Sequence, residues 1–420
     1  MPVARNSVMV PQLAWCGDIE AEFAFPDNWE VTACTWPGAL VPKISDGDIR
    51  RALANPISSP SLRELARGKK NVVILFDDMS RPTKVYDIAP FVLEELSAAG
   101  VEDDNIQFIC ALGCHGALNA IDFRKKLGDN IVARFNVYNH NIYDNCTNIG
   151  TTSYGTPVAL NTEFVNADLK IGIGCVVPHR TAGFGGGAKI VLPGVASIET
   201  IRCNHSRMYG TTATHSGDPN IGYGKVEKNA LHLEMDEVCQ MSGLDFKIDV
   251  LVNQKRDAVA IFAGDPIDQF NVGVKAARQH YCSLKPSCSG MTDVVVVNAY
   301  AKTNETYLGV RLGEQLLPES GGTLVFVSNS PYAEVTHYLI GSFGNHMAGP
   351  LFRPVRFDRR IRKFILLMPF RCKTGAQMMA PAEAITWAKT WDEVIALLQA
   401  DYPNGAKVAV VPDGTIQYFD

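Results

Sequence analysis

The tightest constraint on this chain is the run Asn71–Phe76 (NVVILF). After Asn71 it contains no polar residue. It cannot line a sheet with one wet face, so it reads as a strand covered on both sides. Covering both faces takes helices, and the chain supplies them. Val85–Ala99 puts Ile88, Phe91, Val92, Leu93 and Leu96 largely on one helical face, and Gly100 stops it. Ile106–Leu112 reads as a second strand, Ile121–Leu127 as a short helix ended by Gly128, and Leu169–Val177 (LKIGIGCVV) as a third buried strand. Strand and helix in alternation predict an α/β fold with a mostly parallel sheet.

The rhythm restarts near residue 290. Asp293–Val297, Thr323–Val327, Phe364–Met368 and Val408–Val411 read as strands, with Arg311–Leu317 and Trp387–Gln399 as helices. Gln279–Gly290 reads as a hinge. The expectation is two α/β domains, residues 1–285 and 286–420. The last residues are able to return to the first domain, and the active site is expected in the cleft between the two.

Composition removes several classes. Lys+Arg 39 against Asp+Glu 44 leaves a net charge of −5, the wrong sign for a general nucleic-acid binder. With 46% hydrophobic and 20% charged residues the chain folds rather than staying disordered. The eleven cysteines form no CxxC pair, which suits reduced thiols and neither a disulfide frame nor a zinc ribbon. The first residues lack the apolar core of a signal peptide, and no apolar run approaches the ~18 residues of a membrane span. A cytoplasmic enzyme is expected.

Ligands of open parallel sheets collect beyond the carboxyl ends of the strands. After the first buried strand comes Asp77-Asp78-Met79-Ser80-Arg81-Pro82-Thr83. Pro82 keeps this segment in a tight turn. Arg81 can clamp a carboxylate or phosphate there, or Asp78 and Arg81 simply fix the turn. After the second strand, His115 stands between Cys114 and Gly116. A ring free to face a cleft suits proton transfer, although a loop histidine bonded to backbone is the plainer reading. After the third strand, His179 precedes Gly183, Gly185, Gly186, Gly187 and Lys189. Such glycines bring bare N–H groups close to a guest, usually phosphate. The spacing is neither a P-loop nor GxGxxG. A lysine ending the loop can pair with phosphate or bond covalently to a cofactor. His205 follows in a helix starting near Ala196. His140, His215, His232, His280, His337 and His346 have no comparable setting.

Together, DDMSRPT (77–83), ALGCHG (111–116), Asn148–Thr151 before YGTPV (154–158) and PHRTAGFGGGAKIVLPGVASIETIRCNH (178–205) resemble the lactate racemase family. These are nickel-pincer-dependent 2-hydroxyacid racemases and epimerases. The likeness is strongest over about residues 70–210, where His179 to Lys189 and Lys189 to His205 keep the family spacing. It implies that Lys189 carries the pyridinium nucleotide covalently and that His205 ligates nickel. It implies His115 and His179 as acid/base residues on opposite sides of the substrate. Asp78 and the glycine loop would line the cofactor, and Arg81 the substrate. Tyr307 and Arg311 match a Tyr-Gln-x-x-Lys segment in which Leu308 replaces the amide and Arg311 the lysine. Arg311 can still hold a carboxylate, but the substrate need not be lactate, and a larger apolar or sugar-like 2-hydroxy acid suits the change.

The reaction implied is proton-coupled hydride transfer through a 2-oxo acid, with accessory biosynthetic enzymes loading the cofactor. A homo-oligomer is compatible with this, and neither a nucleic acid nor a membrane is an expected partner. Two other classes remain open to the same residues: a metal-dependent hydrolase, and a non-catalytic relative that binds a sugar acid.

Overall fold

The computed structural model describes residues 6–206, 218–286, 288–340 and 358–420. The chain divides into two compact units. One holds Leu40–His280 with His337–Leu339, and the other holds the first 39 residues, Tyr281–Thr336 and Ile340–Asp420.

The Leu40–His280 unit is built on a six-stranded sheet. Its strand order is Ala258–Gly264, Phe246–Val252, Leu169–Cys175, Val72–Phe76, Ile106–Cys110 and Asn136–Asn139. Every neighbouring pair is parallel except the edge hairpin of Phe246–Val252 with Ala258–Gly264. Val72–Phe76 is central and wholly buried, as its unbroken apolar run requires. Its neighbours on either side are Leu169–Cys175 and Ile106–Cys110, which puts the carboxyl ends of these three strands side by side.

Local chemistry sets the helices. Ala120–Leu127 begins at Asn119, whose side chain accepts from the Ile121 and Asp122 N–H groups in a capping box, and it ends at Gly128 with φ +83°. The expected helix over Val85–Ala99 is a 3-10 turn, Val85–Asp87, followed by the α-helix Ala89–Ala98 with Pro90 in its first turn. Proline there costs no hydrogen bond, because the first N–H groups of a helix are unpartnered anyway.

The other unit carries a second six-stranded sheet, parallel throughout: Ile385–Ala388, Ile361–Leu367, Gly322–Ser328, Val294–Ala299, Lys407–Val411 and Glu30–Ala33. Two expectations need correction here. The stretch Trp387–Gln399 is not one helix. Trp387 belongs to the edge strand Ile385–Ala388, and the helix Trp391–Asp401 starts where the Thr390 side chain caps the Glu393 N–H. The first 39 residues do not join the segment that follows them. Glu30–Ala33 pairs with Lys407–Val411, and Phe23, Phe25 and Trp29 sit in this unit's core. The stretch expected as a hinge is structured in part: helix Pro266–Tyr281 runs through Gln279, and Cys282–Ser283 pairs with Tyr418–Phe419. All eleven cysteines are free thiols. Among the described residues, no helix is long and apolar enough to cross a membrane.

Candidate active site

Asp78, His115 and His179 follow the three adjacent parallel strands. The first turn is held from inside. Lys126, fully buried, donates from Nζ to Asp77 Oδ1 at 2.6 Å and to the carbonyls of Arg81 at 3.0 Å and Thr83 at 2.9 Å. Thr83 Oγ1 donates to the other Asp77 oxygen at 2.6 Å. Burial pushes the Asp77 carboxyl up, against the pull of Lys126 and Thr83. The Arg81 N–H closes the turn on the Asp78 carbonyl at 3.2 Å.

Asp78 then meets His115, whose Nδ1 lies 2.5 Å from Asp78 Oδ2. The second carboxylate oxygen accepts from the Ser80 N–H at 2.8 Å and from the Ser80 hydroxyl. Arg81 donates to Ser80 Oγ at 2.8 Å. Burial raises the Asp78 carboxyl, but His115, Arg81 and Ser80 together outweigh it and hold the group below the ordinary carboxylate range. A charged Asp78 fixes the His115 proton on Nδ1 and leaves the Nε2 lone pair as a base.

His179 is prepared the opposite way. It starts the two-residue hairpin Pro178–His179 with Gly183–Phe184, and its Nδ1 accepts from the Ala182 N–H at 3.1 Å and the Thr181 N–H at 3.3 Å. A neutral His179 therefore carries its proton on Nε2 and presents a donor.

The glycine loop packs closely against the rest of its unit. Its bare backbone is needed by the protein itself. Gly183 has φ +79°, and a Cβ there would lie 2.2 Å from the Lys225 carbonyl oxygen. At Gly187 (φ +52°) a Cβ would lie 2.6 Å from the Phe270 ring, and at Gly186 2.8 Å from the Cys175 carbonyl oxygen. Only at Gly185 is the space ordinary, with Arg81 Nε 3.7 Å from such a Cβ. The fully buried Asp249 anchors the loop. It accepts from the Gly187 N–H at 2.8 Å and from Gln269 Nε2 at 2.9 Å, and it pairs with Lys247 Nζ at 2.6 Å. This packing fixes the 3-10 turn Gly187–Ile190 and with it Lys189, which is buried.

His205 lies on the helix Ile198–Ser206. Burial of its ring, then the charges of Lys189 and His115, pull its pKa down to about 3. Asn204 sets its tautomer. The Asn204 amide nitrogen donates to the Leu231 carbonyl at 3.2 Å and to Glu234 at 2.9 Å, so its oxygen faces His205 Nδ1 at 3.2 Å as acceptor. The His205 proton is then on Nδ1 and its Nε2 lone pair is available to a metal.

One residue dismissed in the sequence belongs to this cluster. His337 forms an antiparallel backbone bridge with His115, and its ring centroid is 5.4 Å from that of His115 and 6.4 Å from that of His205. Burial, His115, His205 and Lys189, in that order, keep it well below the ordinary imidazole pKa. No local sequence signal marks it, because more than two hundred residues separate it from His115. Asn204 and Lys126 had no motif either, and both are buried polar groups whose partners come from elsewhere in the chain. His215 and His346 lie outside the described residues. Tyr307 and Arg311 belong to the other unit. Tyr307 packs against that unit's core, and Arg311 Nη1 donates to Glu314 at 2.8 Å.

Comparison with known proteins finds similarity in sequence and in fold. Residues 16–217 match the lactate racemase N-terminal domain. A lactate racemase of Thermoanaerobacterium thermosaccharolyticum is 32% identical over 230 residues, 54% of this chain and 52% of that protein. The chain thus aligns with only about half the length of that relative. The lactate racemase of Lactiplantibacillus plantarum is 27% identical over 89% of this chain and 90% of its own length. In fold, the apoprotein of the Thermoanaerobacterium lactate racemase superposes with a TM-score of 0.70 at 23% identity, covering 98% of this chain and 100% of that one. A Thermotoga maritima protein superposes at 0.62 with 15% identity, over 92% of this chain. The proteins matched over most of this chain's length, in sequence or in fold, include two lactate racemases, which are isomerases. In sequence the chain is similar to lactate racemases, through a domain match that covers a little under half of it.

Proposed function

We propose that this protein racemises or epimerises a 2-hydroxy acid at carbon 2, using a nickel-pincer nucleotide tethered to Lys189. The observation that carries the reading is the convergence of the Asp78–His115 pair with a neutral His205 and a buried Lys189 at the carboxyl end of one parallel sheet. The residues fit such a group. Lys189 sits on the buried 3-10 turn Gly187–Ile190, and His205 offers a neutral nitrogen whose other ring position is tied to Asn204. The chemistry the group supplies when bound is reversible acceptance of a hydride.

This chain's own part is binding and proton handling. The C–H bond beside a carboxylate and a hydroxyl is a poor acid, because its deprotonation would put a second negative charge next to the first. Loss of hydride gives a neutral ketone instead. His115 Nε2 takes the hydroxyl proton, with Asp78 stabilising the imidazolium that forms. The planar 2-oxo acid then presents its other face, and His179, protonated for this direction of the reaction, gives a proton to the oxygen there and is left as a neutral ring. The Arg81 guanidinium, beside Ser80 in the Asp78 turn, binds the carboxylate. Tyr307 and Arg311 are proposed as further substrate-binding residues. Substrate identity, loading enzymes and a cytoplasmic location belong to the same proposal.

The test is the mass of the Lys189 peptide from protein co-produced with the pincer-cofactor pathway, followed by a chiral assay on 2-hydroxy acids. An adduct on Lys189 with bound nickel is the expected result, together with interconversion of enantiomers or epimers. Unmodified Lys189 under confirmed cofactor supply overturns the reading and favours a metal-dependent hydrolase or a binding protein.

A further inference from the structure

We infer that His337 is a substrate-binding residue of this site, donating a hydrogen bond from Nε2 to an oxygen of the bound 2-hydroxy acid and of the 2-oxo acid formed from it. The inference rests on the proposed function, which makes His115 the acceptor of the hydroxyl proton and His205 the ligand of the hydride-accepting group. A 2-hydroxy acid in that reaction has to satisfy both at once. Its 2-oxygen must reach the His115 ring while its carbon 2 faces the group held by His205. A side chain that adjoins both rings therefore adjoins the substrate. His337 is such a side chain, with its ring 5.4 Å from His115 and 6.4 Å from His205, centroid to centroid.

The position is built rather than incidental. The His115–His337 bridge is extended by the Tyr338 N–H, which donates to the Cys114 carbonyl at 2.9 Å. Tyr338 also packs edge-on against Tyr143, with centroids 5.8 Å apart. The Leu339 N–H donates to His337 Nδ1 at 3.2 Å. With Nδ1 engaged as an acceptor, the neutral ring carries its proton on Nε2. A fixed N–H in a buried site is the kind of group that binds an anionic or developing-anionic oxygen well, because it needs no reorganisation when the charge appears. His115 supplies a lone pair and His337 a donor, so the two adjacent rings are complementary to a hydroxyl group and its carboxylate neighbour.

The experiment uses the cofactor-loaded enzyme. A chiral assay over lactate, malate, 2-hydroxy-4-methylpentanoate and gluconate first identifies the best substrate. H337F, which keeps a ring but no donor, is then compared with H337Q, which keeps a donor. The expected result is a KM raised about tenfold or more in H337F, with kcat within about threefold of the parent. H337Q should recover most of the loss. Calorimetric titration with the matching 2-oxo acid should show the same loss of affinity, with nickel content and melting temperature unchanged. If H337F does not fold, H337A is read by the same titration. KM and affinity within twofold of the parent overturn the inference. So does a fall in kcat at unchanged KM, which would make His337 a positioning residue acting through His115. A parent enzyme that neither converts nor binds any of these acids refutes the proposed function itself, and the inference falls with it.

Discussion

Two histidines in equivalent places, each just past a parallel strand, are set in opposite tautomers. The difference lies in what Nδ1 meets. At His115 it meets the carboxylate of Asp78, and at His179 it meets two backbone N–H groups. The sequence marks both positions but cannot tell them apart, because the deciding partner of His115 comes from another strand's turn. Asp78→Asn tests this. An amide can face His115 with its NH₂, which would move the ring proton and remove the base. Turnover should fall on the order of 10²–10⁴-fold, while nickel content stays at the parental level. A variant with near-parental kcat would remove Asp78 from the mechanism. The ionised state of Asp78 itself is insensitive to pH near neutrality, since its neighbours hold it below the usual carboxylate range.

Elements are positioned by buried polar groups that no periodicity reveals. His140 is one of these. It follows the strand Asn136–Asn139, its Nε2 lies 3.0 Å from the Ala196 carbonyl just ahead of the His205 helix, and its Nδ1 faces Asn161 at 3.4 Å. Burial lowers its pKa to about 4, against a smaller upward pull from the Ala196 carbonyl and Glu163. Between that value and the ordinary 6.5 the unfolded chain binds the extra proton and the folded one does not. Stability from this group is therefore complete above about pH 6.5 and is lost as pH falls toward 4. A non-titrating replacement shows no such loss. The stability advantage of the parent over H140Q should shrink by about 2 kcal/mol between pH 7.5 and pH 5 in urea denaturation. A constant difference would show that His140 is not held neutral. The glycine loop makes the same point. Its composition signals close approach, yet the partners at Gly183 and Gly187 are Lys225 and Phe270, brought there by folding.

At the scale of the whole molecule, the division of the chain depends on pairings between its distant ends. The strand Glu30–Ala33 closes one edge of the second sheet beside Lys407–Val411. Trp29 is 5% exposed in the core of that unit, near Phe25 and Tyr402. Trp29→Ala should cost about 3–5 kcal/mol of stability, read as a lowered denaturation midpoint. The same variant serves as a control for the site, since Trp29 has no part in it. A midpoint unchanged within error would contradict the placement of residues 6–39.

By itself, the sequence determined the α/β class, most strands of both sheets and the three strand ends where Asp78, His115 and His179 stand. Those follow from local patterning, because a strand buried on both faces must be apolar throughout and a helix must be amphipathic. Tertiary structure alone decided which chain segments share a sheet, which tautomer each imidazole holds, and that His337 stands beside His115 and His205. Such contacts carry no local signature. They arise when segments far apart in sequence bury polar groups together, and each buried donor or acceptor must then find its partner among whatever the fold has brought within reach.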